Sequence, residues 1–391
     1  MNTLDVVLVV IVVAYAVSGY VQGFVVNLVA TVGLLVGGGS AIFAVPMLLD
    51  SSGAATLQTS LLALGLVIGA AAIGQAIGTY IGTDLRGGLQ STTGRTVDAV
   101  GGGALSIVTV LVATWALGYS VSGASIPYLS SSARESSILG QVDGVMPNRA
   151  SEALRAFNRV LDANLFPRYM DPFSPEQIQA IGPPDDGTLD EPGVREAAGS
   201  VVKILGQAEC GKGIEGSGFV YGPGRVMTNA HVVAGVDQPE VTVGQRRVPG
   251  RVVVFDPQLD LAVIATEDLG VPALEFDESG SPGQPAAVLG YPENGPFDAR
   301  SARIREQLTL RSPDIYDRGE VLRETFSIRG LVRSGNSGGP LISPDGDVLG
   351  VIFAASISDS ATGYAVTADA AAENAAEGLS TNQSVDTGGC T

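Results

Sequence analysis

The first 120 residues carry only six charged side chains: Asp5, Asp50, Asp84, Arg86, Arg95 and Asp98. Four apolar stretches run between them, Leu4–Tyr20, Phe24–Leu49, Leu57–Thr83 and Val97–Tyr119. Each approaches or exceeds the roughly 20 residues a helix needs to cross a bilayer. One such run could be a buried helix of a soluble domain; four in succession with so little charge could not. The first lacks the basic start of a cleavable signal peptide and a second apolar run follows at once, although Ala14-Tyr15-Ala16 mimics a cleavage site. The chain therefore opens as a four-helix transmembrane domain.

Within the third run, Gly65, Gly69, Gly74, Gly78 and Gly82 recur every fourth or fifth residue, a flat stripe on which another helix can lie closely in lipid. The triplets Gly37–Gly39 and Gly101–Gly103 are expected to break or thin their helices. Only Asn27 and Gln75 stand out as polar groups inside the block, so an anchor or scaffold is favoured over an ion path. The loop 83–97 alone holds basic residues, Arg86 and Arg95, which places it in the cytoplasm and the rest of the chain outside.

The net charge of −18 falls almost wholly on the later residues. Phosphate binding needs clustered Lys and Arg, so nucleic acid is excluded as a partner; cationic substrates are weakly favoured. The two cysteines, Cys210 and Cys390, are unpaired thiols if the chain is cytosolic and a disulfide if it is exported. Such a bridge closes a loop worth about 5 kcal/mol in the chain-entropy model. No His/Cys cluster suggests a metal, and no cofactor is expected.

Residues 121–195 form a second region. After a Ser/Gly-rich start, Leu154, Phe157, Val160, Leu161 and Leu165 recur at helical spacing, a segment suited to packing on the next domain or lying at the membrane interface. Six prolines between 166 and 195 read as an extended, accessible linker, which a tethered protease could itself cut. From residue 196 onward short apolar runs alternate with Gly/Pro/Asp turns: Val201–Leu205, Gly218–Tyr221, Arg251–Phe255, Leu261–Ile264, Ala286–Leu289, Val348–Phe353 and Tyr364–Val366. That pattern is all-β, and its length suits two six-stranded barrels.

Inside this region Ser337 stands in Gly335-Asn336-Ser337-Gly338-Gly339-Pro340. A serine hydroxyl attacks a carbonyl only when a base takes its proton and N–H groups meet the oxygen that becomes charged. Glycines let the N–H groups of Gly335 and Ser337 converge. The same composition also makes an ordinary surface turn. Two upstream stretches favour catalysis. The one histidine, His231, ends the run Val226-Met-Thr-Asn-Ala-His. Asp260 leads into the apolar run Leu261–Ile264, where a carboxylate could orient an imidazole; nearby Asp256 precedes a proline and reads as a turn residue.

The order His231, Asp260, Ser337 is that of chymotrypsin-fold enzymes, not of subtilisins or α/β-hydrolases. The stretches TNAHVV, DLAVI and GNSGGP resemble those of trypsin-like and HtrA-type serine proteases, over roughly Gly199 to Ala370. The resemblance implies a chymotrypsin-like double β-barrel and a serine endopeptidase acting on proteins or peptides. It assigns His231, Asp260 and Ser337 as the triad and Gly335, Asn336 and Ser337 as the oxyanion hole. It further implies a substrate-pairing strand at Phe353, Ala354, Ala355 and Ser356 and a specificity pocket near Leu331 and Val332. Leu331, six places before the serine, suggests an apolar or small residue before the scissile bond.

Asn336 replaces the aspartate that receives a new N-terminus in secreted trypsins, so loop ordering or redox state is the expected control. Too few residues follow Asp369 for the PDZ domain of typical HtrA proteins. Asp5-Val-Val-Leu-Val-Val and Ser18-Gly-Tyr-Val-Gln-Gly23 resemble the colicin V production family. The whole arrangement resembles the MarP-type membrane-bound proteases of actinobacteria. That resemblance implies acid or oxidative stress resistance through processing of periplasmic or cell-wall proteins, cell-wall hydrolases among them. An inactive membrane-anchored sensor, or an export role for the four spans, are the competing expectations.

Overall fold

The computed structural model describes residues 2–49, 57–86, 92–122, 132–147 and 176–391, the last range without 177, 212, 317, 320, 357 and 358. The amphipathic segment expected around 150–166 and the first part of the linker lie outside these residues. The chain divides into a unit ending near residue 164 and a unit running from residue 176 to the C-terminus.

Four helices build the first unit: α1 (Thr3–Gln22), α2 (Phe24–Leu49), α3 (Leu57–Arg86) and α4 (Thr92–Ser122). All four are long and apolar enough to cross a membrane. Helices α2 and α3 meet backbone to backbone. A Cβ on Gly74 would lie 2.1 Å from the Gly33 carbonyl, and one on Gly78 would lie 2.4 Å from that of Val29. Gly65 and Gly69 have no neighbour within 4 Å, so only the Gly74–Gly82 half of the expected stripe is used. The glycine triplets do not break their helices. Gly37 abuts the Ala70 carbonyl and Gly102 that of Gly19, each with 2.3 Å left for a Cβ. In lipid no water competes for the backbone, so glycine there serves close approach rather than termination.

The joint between α1 and α2 turns at Gly23, φ 85. Asp98 accepts the Val25 N–H at 3.0 Å and pairs with Arg86 at 2.8 Å, and Arg86 donates to the Val21 carbonyl at 2.8 Å. One ion pair from α3 and α4 thus caps the end of α1 and the start of α2. Close by, the Asn27 amide donates to Gly23 and receives the Ser106 hydroxyl. At the opposite end Asp5 accepts the Ser136 hydroxyl at 2.6 Å and the N–H of Ile138 at 3.3 Å, opening α5 (Ser137–Asp143). Trp115 donates to Asp143 at 2.8 Å. The helical unit therefore continues through α5, beyond the residue-120 boundary suggested by hydropathy.

In the second unit, residues 178–184 form an irregular, partly exposed segment. Arg305, Arg329 and Arg303 donate to the carbonyls of Gln179, Ile181 and Pro183 respectively. Residues 186–190 form a 3₁₀ turn and Pro192–Ala198 form α6, with Val194 and Ala197 buried. Composition assigned this stretch to the linker. Pro192 instead occupies the first helical turn, where a proline costs no hydrogen bond.

Seven strands follow: β1 (Val201–Gln207), β2 (Gly213–Gly222), β3 (Arg225–Thr228), β4 (Glu240–Val243), β5 (Arg246–Pro249), β6 (Arg251–Asp256) and β7 (Leu261–Ala265). They form one curled sheet in the order β5-β4-β1-β2-β3-β7-β6, and the short helix α7 (Ala230–Val233) follows β3. The remaining strands are β8 (Pro285–Gly290), β9 (Asp298–Ser312), β10 (Val321–Arg329), β11 (Pro340–Ile342), β12 (Val348–Ala355) and β13 (Thr362–Thr367). They close a barrel in the order β10-β13-β12-β11-β8-β9, and helix α8 (Ala368–Ser380) covers β7 and β12. Every expected strand is present. The second barrel has the expected six strands, and the first sheet has seven.

Each sheet encloses its own apolar cluster. A third cluster joins them, with Phe219, Val253 and Leu261 from one sheet and Leu289, Ile342, Phe353 and Val366 from the other. The loops that carry the candidate residues lie over this seam.

Candidate active site

His231 is the second residue of α7, which is preceded by Asn229, whose side-chain amide donates to the Asp260 carbonyl at 2.7 Å. Asp260 is fully buried at φ 60, a conformation few residues other than glycine adopt. Held in that bend, its carboxylate meets His231 twice. Oδ1 accepts the His231 backbone N–H at 2.9 Å and Oδ2 pairs with Nδ1 at 2.7 Å. A carboxylate can only accept, so Nδ1 carries the proton and Nε2 is left as the base. Asp256 is elsewhere occupied, accepting the N–H groups of Gln258 and Leu259.

Ser337 is 4% exposed. Its carbonyl accepts the Ser217 N–H from β2 at 2.8 Å. The next residue, Gly338 at φ 80, presses against the histidine segment: a Cβ there would lie 2.3 Å from the Thr228 hydroxyl and 2.9 Å from the Asn229 nitrogen. The structure thus bonds His231 to Asp260 and sets the backbone following Ser337 against the residues that precede His231.

Ahead of Ser337 the chain makes a tight turn, Arg333 to Asn336, closed by the Asn336 N–H on the Arg333 carbonyl at 3.0 Å. Gly335, its third residue, has φ 87, as a type II turn requires. The Ser334 carbonyl is taken by the Glu293 N–H at 2.7 Å and the Gly335 carbonyl by the Ser217 hydroxyl at 2.6 Å. Among the described residues nothing accepts from the N–H groups of Gly335 and Ser337. These two N–H groups flank the Gly335–Asn336 peptide, whose carbonyl is tied off by Ser217, and they suit a developing oxyanion. Asn336 differs from the expectation. Its N–H is used in the turn, and its side chain accepts the Arg333 N–H at 2.9 Å, so it shapes the hole without facing it.

Strand β11 accompanies β12 only as far as Val351, while β13 pairs with β12 through Ala355. Phe353 is fully buried in the seam, Ala354 is nearly so, and Ala355 is half-buried at the barrel's edge. The Ser356 hydroxyl donates to Glu176 at 2.5 Å and its N–H to the Thr362 carbonyl at 2.9 Å. Val332, 6% exposed, belongs to the barrel interior and fills the space a Cβ on Gly363 would need. Leu331, 39% exposed, does not. Cys210 and Cys390 form a disulfide, Cα–Cα 6.5 Å. It fixes the last residues beside Gly235, just after α7, where the Gly235 N–H reaches the Thr387 carbonyl at 3.1 Å. Among the described residues no group of side chains could hold a metal.

Comparison with known proteins bears on both units. Residues 4–147 match the colicin V production protein family and residues 216–351 the trypsin-like peptidase domain. Serine protease Rv3671c of Mycobacterium tuberculosis is 35% identical over 379 residues, covering 96% of this chain and 95% of that protein. The chain belongs to its family. The crystal structure of the active form of the Rv3671c protease aligns with 56% of this chain and 98% of its own, at 43% identity and a TM-score of 0.54. A probable periplasmic serine endoprotease of the DegP-like type from Chlamydia pneumoniae is 32% identical over 146 residues, 28% of its length. The protein is a membrane-anchored, HtrA-like serine protease.

The motifs led to the histidine, the aspartate and the serine. Ser217, Thr228, Asn229, Tyr291 and Glu293, which hold them, were not found. The one available signal was the Gly216-Ser217-Gly218 run inside an apolar strand, where a polar residue needs partners.

Proposed function

We propose that His231 takes the proton of Ser337, that Ser337 attacks a peptide carbonyl, and that Asp260 orients the imidazole and stabilises its charged form. The N–H groups of Gly335 and Ser337 receive the oxyanion, His231 protonates the leaving amine, and water releases the acyl-enzyme. The observation that carries this is the pair of hydrogen bonds from the backbone and ring of His231 to the Asp260 carboxylate. Fluorophosphonate labelling of the full chain in detergent tests it. Wild type labels and Ser337→Ala does not; labelling that survives in Ser337→Ala rejects the assignment.

Substrates are extended peptides laid along β12 at Phe353–Ala355. Leu331, the exposed one of the two candidate pocket residues, supports a small or apolar residue before the scissile bond. The protease lies outside the cytoplasm, a reading supported by the disulfide and the DegP-like relative. Cutting of the chain's own linker falls before Glu176, since residues 179–183 are held by arginines. A role in acid or oxidative stress, by processing cell-wall proteins, rests on the family resemblance alone. Loss of acid survival in a deletion strain, restored by wild type but not by Ser337→Ala, is its test.

A further inference from the structure

The turn that carries the two N–H groups hangs from the other sheet. Ser217 of β2 is fully buried and uses every polar group it has. Its N–H donates to Ser337 at 2.8 Å and its carbonyl accepts the Thr228 hydroxyl at 2.7 Å. Its hydroxyl accepts the Tyr291 N–H at 2.8 Å and donates to the Gly335 carbonyl at 2.6 Å. Because the Tyr291 N–H can only donate, the Ser217 hydroxyl proton is directed at Gly335. That carbonyl belongs to the peptide between Gly335 and Asn336, whose N–H is bound to Arg333. The peptide lying between the two N–H groups of the hole is therefore held at both ends.

We infer that Ser217 is a positioning residue for the oxyanion hole, an inference that rests on the reading of Ser337 as nucleophile. Without the hydroxyl, the Gly335 carbonyl and the Tyr291 N–H both lose a buried partner. The peptide is then free to rock, and the N–H groups on either side lose their common aim. Substrate binding along β12 does not use these groups, whereas the charged tetrahedral state does. The hydroxyl acts on turnover, not on affinity for substrate.

The test uses the full chain in detergent, with Ser217→Ala, Ser217→Cys and Ser337→Ala. Active sites are titrated so that rates refer to competent molecules. Hydrolysis of a fluorogenic peptide gives kcat and KM, and an alanine-boronate peptide, whose adduct places a charged oxygen in the hole, reports the transition-state geometry. Ser217→Ala is expected to lose about 10- to 100-fold in kcat and a similar factor in boronate affinity, with KM within about twofold. Ser217→Cys, a weak donor, falls between and carries the test if the alanine variant does not fold. Wild-type kcat per titrated site in either variant, or a rise in KM alone, overturns the inference. Turnover that persists in Ser337→Ala rejects the site reading itself, while an inactive Ser337→Ala beside a fully active Ser217→Ala rejects only the role of Ser217.

Discussion

The N–H of Glu293 donates to the carbonyl of Ser334 at 2.7 Å, while Glu293 itself stands at φ 55. A non-glycine residue in that region carries roughly 1–3 kcal/mol of strain. The loop after β8 accepts this strain where its N–H decides which way the peptide between Ser334 and Gly335 faces. With that carbonyl bound to Glu293, the peptide that carries the Gly335 N–H is held in one orientation.

Gly335→Ala tests the turn from within. A Cβ would lie 2.6 Å from the Tyr291 carbonyl and 2.8 Å from the Glu293 nitrogen, at a φ of 87 that side chains avoid. The turn must open or flip, and one donor of the hole goes with it. Turnover is expected to fall by at least about 100-fold, with secondary structure unchanged by circular dichroism.

Asp260→Asn keeps the volume and the bond from the His231 backbone but offers a donor where Nδ1 needs an acceptor. The ring is then driven to the other tautomer, with its proton on Nε2. A loss of about four orders of magnitude in kcat is expected at neutral pH, measured with an active-site titrant to exclude residual wild type.

Reduction of Cys210–Cys390, or Cys390→Ser, frees a tail that lies against Gly235, two residues past the histidine helix. The bridge closes a separation of 180 residues, worth about 5 kcal/mol in the chain-entropy model. A lower melting temperature and slower fluorophosphonate labelling are expected together; unchanged labelling would uncouple the bridge from the site.

Two carboxylates give acid dependence of opposite sign. Burial and the charges of Asp277, Glu275 and Asp345 push Asp347 above its ordinary value. Its ionised form weakens the fold at neutral pH, and this penalty disappears as pH falls through the raised value. For Asp359 burial also acts upward, but the Thr362 hydroxyl, the Ala361 N–H and the guanidinium groups of Arg305 and Arg329 outweigh it and lower the value. Its contribution is present above 3.8, the ordinary value, and is lost only as pH drops through the lowered one. Asp347→Asn should therefore raise the melting temperature at neutral pH and do nothing in acid. Asp359→Asn should lower it at neutral and mildly acidic pH alike.

The membrane helices were legible because lipid leaves charge no place, and the first residues have almost none. His231, Asp260 and Ser337 could be singled out because three short motifs follow one another in the chymotrypsin order. Strands β9 and β10 were not. They carry Arg305, 6% exposed, and Arg323, fully buried, and a buried guanidinium looks like surface charge in a sequence. Arg323 reaches the Ser312 hydroxyl and the Pro313 carbonyl, partners that only the β9–β10 pairing supplies. Helix α8 was missed for a different reason. Its buried face is Ala368, Ala371, Asn374, Ala375 and Gly378, small or polar residues that do not read as a core stripe. Ser217 and Glu293 act on the turn through a hydroxyl and an amide whose partners lie far along the chain.

The irregular segment before α6 is gripped by Arg303, Arg305 and Arg329 through carbonyl oxygens, a group that every amino acid possesses. Its course is thereby specified while its side chains, several of them exposed, remain unread. The stretch can drift in sequence, or be rewritten to carry a foreign recognition tag, and still follow the same path, whereas loss of one arginine would release it whatever its sequence.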